Sequence, residues 1–389
     1  MSSRRVYMDY NATTPLHPSV QEAMVRDLEI FANASSMHED GRKARGRVEE
    51  ARKAVAELIG CGDNPEQIVF TSGGSESNNT VFATMFHLGR KGPRRGIITS
   101  AIEHPCVLNA AKWLESEGFP VTFLKVDEYG KLDMSQLKAS LGPDTLLVSI
   151  MAANNEIGTI QDMAEIGALA KASGAYFHSD ATQAVGKIPV CADDWKADYL
   201  TMSCHKLYGP KGVGALYLRK GAPLEPLIRG GHQEHGHRAG TYNNIGILGF
   251  GQAARLAKEE LPEYARRVFA LRNKLRDGLV AAIPKVRVNG HPVNVLPNTL
   301  NLSFPGAEGE AILLYLDLAG IEVSTGSACA SGSLEPSHVL LATGVGPELA
   351  HGSIRFSLGR ATSEEDVDYI IEQLPPIIKR LRAMSTVEA

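Results

Sequence analysis

Residues 176–218 read YFHSDATQAVGKIPVCADDWKADYLTMSCHKLYGPKGVGALYL. Three short apolar runs stand out in and beside this stretch, Ala175–Ser179, Tyr199–Ser203 and Gly214–Leu218, each of strand length and bounded by turn formers. Four more precede them: Gln67–Thr71, Gly96–Ser100, Val121–Lys125 and Leu146–Met151. Helical spacing fills the gaps at Glu76–Gly89, Val107–Glu117 and Met163–Ala172. Strand and helix in alternation predict an α/β chain with a mostly parallel sheet of seven strands, covered on both faces. Ligands of such sheets collect beyond the carboxyl ends of the strands. The polar residues that end the runs, Asp180 and Ser203 above all, are therefore the ones to follow.

Downstream, Pro262–Ile283 reads as a long charged amphipathic helix leading out of the first domain. After Pro284 the pattern changes. Strand-like segments at Val286–Val288, Thr299–Phe304, Ile321–Ser324 and Gly352–Ser357 alternate with helices at Gly309–Ala319 and Ser363–Leu374, and Ser363 with Asp366 resembles a capping box. The expected division is a large domain over 13–258 and a smaller α/β domain over 259–389, completed by the N-terminal arm 1–12. Residues 324–333, STGSACASGS, are ten small residues in succession. They can bury little apolar area, so a mobile loop is expected there.

The chain has 389 residues, with 40 basic against 44 acidic side chains for a net charge of −4. That balance favours neither nucleic acid nor an anionic membrane. No apolar run is long enough to span a bilayer, and the start MSSRRVYMDYNATTP lacks the apolar stretch of a signal peptide. The cytoplasm is the expected location. The five cysteines, at 61, 106, 191, 204 and 329, are odd in number and form no CxxC pair. A dense disulfide framework and the common zinc spacings are excluded. Burial is the ordinary fate of a free cysteine. Cys329, in the small-residue loop, is the exception.

Three segments carry chemistry. In IVFTSGGSESNN (68–79), Gly73 and Gly74 permit a tight turn, and Ser75 with the first backbone N–H groups opens a helix suited to phosphate. A plain connector has the same pattern, and no P-loop GKS/T follows. In YFHSDATQAVG (176–186), Asp180 ends a strand, where a carboxylate can pair with a cationic ring nitrogen, and Gln183 can offer its amide to a phenolic oxygen. An N-cap role for Asp180 is the competing reading. In LTMSCHKLYGPKGVGALYL (200–218), Lys206 sits between an apolar strand and a Gly/Pro turn. Ser203 and His205 share one side of the chain to hold an anion, and Cys204 faces the other. A phosphate-ready helix start, a strand-end aspartate and a lysine form one constellation: the phosphate cup, ring-nitrogen partner and Schiff-base lysine of a pyridoxal-phosphate enzyme.

With these segments in view, the chain resembles the cysteine desulfurases of the class V aminotransferase family, most closely the NifS branch that serves nitrogenase assembly. The resemblance runs through YMDYNATTP (7–15), NASSMHEDGR (33–42), TSGGSESNN (71–79), EHPCVL (103–108), ANNEIGT (153–159), HSDATQAVG (178–186), SCHKLYGPKGVG (203–214), GGHQEHGHRAGTYN (230–243), GSACASGSLEPSHVL (326–340) and SIRFSLGRAT (353–362). It implies the fold of type I pyridoxal-phosphate transferases, a homodimer, and these roles. Lys206 matches the Schiff-base lysine and His104 the histidine stacked on the cofactor ring. Asp180 would pair with the ring nitrogen, and Asn155 and Gln183 would bond the phenolic oxygen. Gly74, Ser75, Ser203 and His205 match the phosphate cup, which Thr241 of a second subunit completes in relatives. Arg355 and Asn33, with Asn155, match the substrate-binding groups. Cys329 matches the nucleophile that takes sulfur from L-cysteine, leaves alanine, and carries a persulfide to an iron–sulfur scaffold of the NifU/IscU type. The proton carrier between substrate and cofactor is His104 or Lys206.

The pattern also departs from that family. Cys106 stands where relatives often have alanine, close to His104. His235 replaces an arginine usual in relatives, and His237 varies too. His232, His235 and His237 together look superficially like a metal site, but the flanking glycines and missing register favour a solvated loop near a subunit interface. No resident metal is expected, though Cys329 could dock transiently to a scaffold-held cluster. The rival enzyme readings are a selenocysteine lyase or another class V enzyme.

Overall fold

The computed structural model describes residues 4–326 and 335–384. Twelve strands are present among them: β1 (Val6–Tyr7), β2 (Ile68–Thr71), β3 (Gly96–Ser100), β4 (Val121–Leu124), β5 (Thr145–Ser149), β6 (Tyr176–Asp180), β7 (Tyr199–Ser203), β8 (Gly214–Leu218), β9 (Arg287–Asn289), β10 (Thr299–Ser303), β11 (Ile321–Glu322) and β12 (Ser353–Ser357). The first helices are α1 (Pro18–Asp27), α2 (Glu39–Leu58), α3 (Gly74–Lys91), α4 (Pro105–Ser116), α5 (Met134–Ser140) and α6 (Met163–Ser173). They are followed by α7 (Asn244–Ala282), α8 (Gly309–Leu318), α9 (His338–Ala342), α10 (Pro347–His351) and α11 (Glu364–Met384).

The seven expected strands form one sheet in the order β2-β8-β7-β6-β5-β3-β4. All neighbours run parallel except β8, which is antiparallel to both β2 and β7. β5, TLLVS, is buried along its whole length. Such a run fits a central strand with helices on both faces, where neither side meets water. One face carries a core that includes Phe177, Leu200 and Phe250; the other includes Phe82, Leu114 and Leu147. Burying a side chain such as Phe177 or Leu147 contributes about 1.5–3 kcal/mol.

The bridging helix begins earlier than its charge pattern indicates. α7 starts at Asn244 and continues through Pro262. Its first half is rich in glycine and alanine, and these small residues let helices approach closely: a Cβ at Gly251 would lie 2.6 Å from Ala51 of α2. Along α7 the packing changes partner, from the first core at Ala254 to a second core at Tyr264. That second core surrounds the three-stranded antiparallel sheet β12-β10-β9, and it includes Val6 and Met8 of the N-terminal arm. The arm is tied down by parallel pairing of β1 with β11. The capping box forms reciprocally: Ser363 N donates to Asp366 Oδ2 at 3.0 Å, and Asp366 N to Ser363 Oγ at 3.1 Å. Among the described residues, no helix is long and apolar enough to cross a membrane.

Candidate active site

A cavity of about 190 Å³ opens beside the carboxyl ends of β6 and β7 and the N-termini of α3 and α4. Each wall follows from the local fold. β6 ends on Asp180 and β7 on Ser203, and both residues are buried. A single 3₁₀ turn over Cys204–Lys206 then aims His205 and Lys206 into the cavity and sends Cys204 into the core. Gly74 and Ser75 line it from the first turn of α3, and His104 caps α4 at its rim. Asn155, Gln183 and Arg355 complete the set, with Arg355 coming from β12 of the second sheet.

Asp180 accepts hydrogen bonds through both oxygens, from Asn78 Nδ2 at 2.7 Å and from Thr182 N at 3.0 Å. The second bond is a local turn, and no helix of the chain begins there. Asn78 Oδ1 and Thr182 Oγ1 beside it are buried without a protein partner among the described residues. Lys206 Nζ donates to the carbonyls of Asn11 and Ala12, the latter at 2.6 Å. Arg355 is 1 % exposed, and it donates to Asp9 Oδ1 at 2.6 Å and to the Asn155 carbonyl at 3.2 Å. Its Nε has no partner among the described residues.

Burial dominates the electrostatics. It lowers the pKa of His205 to about 4, with Lys206 pushing the same way, so the ring is neutral at pH 7. Its Nδ1 lies 3.1 Å from Thr13 Oγ1. Burial also lowers His104, against the opposing carboxylate of Asp180. The Cys106 thiol is pushed up to about 12 by burial and by Asp180.

Two residues singled out by resemblance lie elsewhere. Asn33 is exposed, and its side chain accepts the N–H of Ser35. Thr241 is exposed too; neither residue lines this cavity within the single chain. Cys329 lies outside the described residues. The loop with His232, His235 and His237 is held by Glu234, which forms a two-pronged buried ion pair with Arg52 (2.6 and 2.9 Å) and accepts Phe70 N at 2.8 Å. No group of three or more metal-type side chains gathers among the described residues.

The sequence reading missed several groups here. Asn11 accepts Gln183 Nε2 and Lys206 Nζ on its carbonyl, and through its side chain reaches Asn155 O, Thr299 and Asn298. It ties the arm, the large sheet and the second sheet together at the cavity wall. It lies in the motif YMDYNATTP, whose resemblance to the family implies no role for it. Lys187 is fully buried behind the wall and donates to Gln183 Oε1, so Gln183 turns N–H rather than oxygen away from it. Lys187 lies in a run of turns after β6, so no helical spacing marks it. Nothing local marks Asn11 or Asn78.

Comparison with known proteins places this geometry. The chain is 51 % identical over 384 residues to a protein named cysteine desulfurase IscS from Dictyoglomus turgidum, covering 98 % of this chain and 96 % of that one. It is 48 % identical to a protein of the same name from Methanosarcina thermophila, over 98 % of this chain and 94 % of that one. Among solved structures, a NifS-like protein superposes with a TM-score of 0.90 at 40 % identity, over 97 % of this chain and all of that one. A structure of SspA in complex with cysteine superposes at 0.80 with 36 % identity, over 91 % and 99 %. The family model described as aminotransferase class-V matches residues 6–370. The chain belongs to the class-V aminotransferase family.

Proposed function

We propose that the protein is a pyridoxal-phosphate-dependent cysteine desulfurase, converting L-cysteine to L-alanine and a persulfide on Cys329. The carrying observation is that Lys206, Asp180, His104 and Arg355, drawn from four separate segments, converge on one cavity. The donor set fits the cofactor. Gly74 leaves a cradle at the α3 N-terminus that a side chain would crowd, since a Cβ there would lie 3.1 Å from Thr182 Oγ1. No side chain caps that helix start, so its first N–H groups are available to a phosphate. Bound there, pyridoxal phosphate supplies an electron sink for charge that develops on the substrate's α-carbon.

The chain's own groups supply the rest. Lys206 Nζ is the amine that would hold the cofactor. Asp180, braced by Asn78 and the Thr182 N–H, would hold a proton on the cofactor's ring nitrogen. Gln183 and Asn155 would bond its phenolic oxygen, and Ser75, Ser203 and His205 its phosphate. Arg355, with one nitrogen fixed by Asp9, lines the cavity and would bind the substrate carboxylate, which its guanidinium fork suits. Cys329 would attack the substrate sulfur as a thiolate, forming the S–S bond as the substrate's Cβ–S bond breaks and leaving that bond's electron pair on the carbon skeleton that is protonated to alanine. The described residues on either side of it are fastened beside the cavity. Ser324 exchanges backbone bonds with Arg355, Ser337 donates to Glu156, and His338 Nε2 lies 3.0 Å from the Glu103 carbonyl, next to His104.

The reading extends to a cytoplasmic homodimer that passes sulfur to an iron–sulfur scaffold of the NifU/IscU type. Asn33 and Thr241 would then serve the neighbouring subunit's site. The exposed Leu28, Phe31 and Met37 near Asn33 support such a contact. Cys329→Ser tests the assignment: the variant should keep the yellow cofactor absorbance yet make alanine from L-cysteine at a small fraction of the normal rate. Undiminished desulfuration by this variant would instead favour selenocysteine-lyase chemistry.

A further inference from the structure

Cys106 lines the cavity, yet the proposed reaction gives it no task. It follows His104 by two positions in a helix that His104 itself caps. His104 Nδ1 accepts the backbone N–H of Cys106 at 3.2 Å and lies 2.9 Å from Cys106 Sγ. Asn78, fully buried in α3, extends the row. Its Nδ2 donates to Asp180 Oδ2 at 2.7 Å and to Cys106 Sγ at 3.1 Å.

The direction of every bond follows from the Asp180 end. An ionised carboxylate only accepts, so Asn78 must face it with NH₂. Its second hydrogen goes to Cys106 Sγ, which the Ser75 side chain also reaches. His104 Nδ1 already accepts the Cys106 N–H, so the 2.9 Å contact with Sγ places the S–H as its second donor. A ring nitrogen approached by two donors carries no proton of its own. We propose that Asn78 and Cys106 are positioning residues that hold His104 as the neutral Nε2–H tautomer, so that the ring enters the reaction as an N–H donor at Nε2 and not as a base.

The surroundings agree. Burial lowers the imidazole pKa; Lys206 and His338 push it down further, while Asp180 and Glu156 oppose them. Burial likewise keeps the Cys106 thiol protonated, as a donor requires. Fixing a tautomer through the partner of the other ring nitrogen is a general device for histidine. The chemical consequence rests on the proposed function, but the row of hydrogen bonds does not.

The test is spectroscopic and needs no turnover. Full-length protein labelled with ¹⁵N-histidine, with and without pyridoxal phosphate, gives two-bond ¹H–¹⁵N spectra in which His104 is assigned by its loss in His104→Gln. The expected result is an Nε2–H tautomer in the unmodified chain. In Cys106→Ala the Nδ1 resonance should move toward that of an unbonded ring nitrogen, and His104 should titrate about half to one pH unit higher. Cys106→Ser, which keeps a donor, should restore both. An Nδ1–H tautomer, an unchanged Cys106→Ala spectrum, or a serine variant that behaves like alanine would each overturn the proposal. Lack of desulfurase turnover would count against the proposed function and leave this readout untouched.

Discussion

At the scale of single residues, buried titratable groups set the behaviour of the site. Glu103 precedes His104 and is fully buried; its Oε1 accepts from Ser100 and Met151 N, and its Oε2 has no partner among the described residues. Burial raises its pKa from 4.5 to about 8. Between those values the folded chain holds a proton that the unfolded chain has released. Stability therefore falls as pH rises across this window, by up to about 1.4 kcal/mol per pH unit. Glu103→Gln should flatten that slope in melting experiments from pH 5 to 8, and an unchanged slope would contradict it. Cys106 offers a second check. With its pKa near 12, only about one thiol in ten thousand is ionised at pH 8. Iodoacetamide at that pH should leave Cys106 unmodified in peptide mass maps of the folded protein, and rapid labelling would refute its protonated state. Lys206, Asp180 and Gln183 were legible in the sequence because each ends or follows an apolar strand. Asn11 and Asn78 were not, since their roles come from contacts with residues on other elements, 28 or more positions away.

At the scale of elements, every described strand except the two-residue β1, and six of the eleven described helices, were visible in the hydrophobic pattern, and the differences have physical causes. The first half of α7 was missed because glycine and Pro262 read as breakers, whereas packing against α2 rewards small residues there. α11 runs ten residues past its expected end, through Pro375 and Pro376, because Ile378 and Leu381 continue its buried stripe. The loop of 230–243 is pinned by Arg52 and Glu234, with Arg238 on Glu76 at 3.0 Å as a further tie. Removing one partner of a buried pair leaves an uncompensated charge. Glu234→Ala should cost about 3–5 kcal/mol in urea unfolding, and a loss below 1 kcal/mol would show that the pair does not anchor the loop.

At the scale of the whole molecule, the cavity is built where two sheets and the N-terminal arm meet. This meeting explains why Arg355 and Asn11 lie far in sequence from Lys206 yet share a wall with it. Asn33 and Thr241 do not line this cavity within one chain, and on the proposed function they serve it from a second subunit. Sedimentation should accordingly give twice the monomer mass, and Thr241→Ala should weaken cofactor retention several-fold in dialysis while the dimer persists. A monomer with full cofactor retention would contradict the shared site. On the proposed function, Lys206 carries the cofactor. Borohydride reduction of the yellow protein, followed by peptide mass mapping, should find one pyridoxyl group per chain, on the peptide containing Lys206. A label on Lys187 or Lys211 instead, or a colourless protein that takes up no label, would contradict the account.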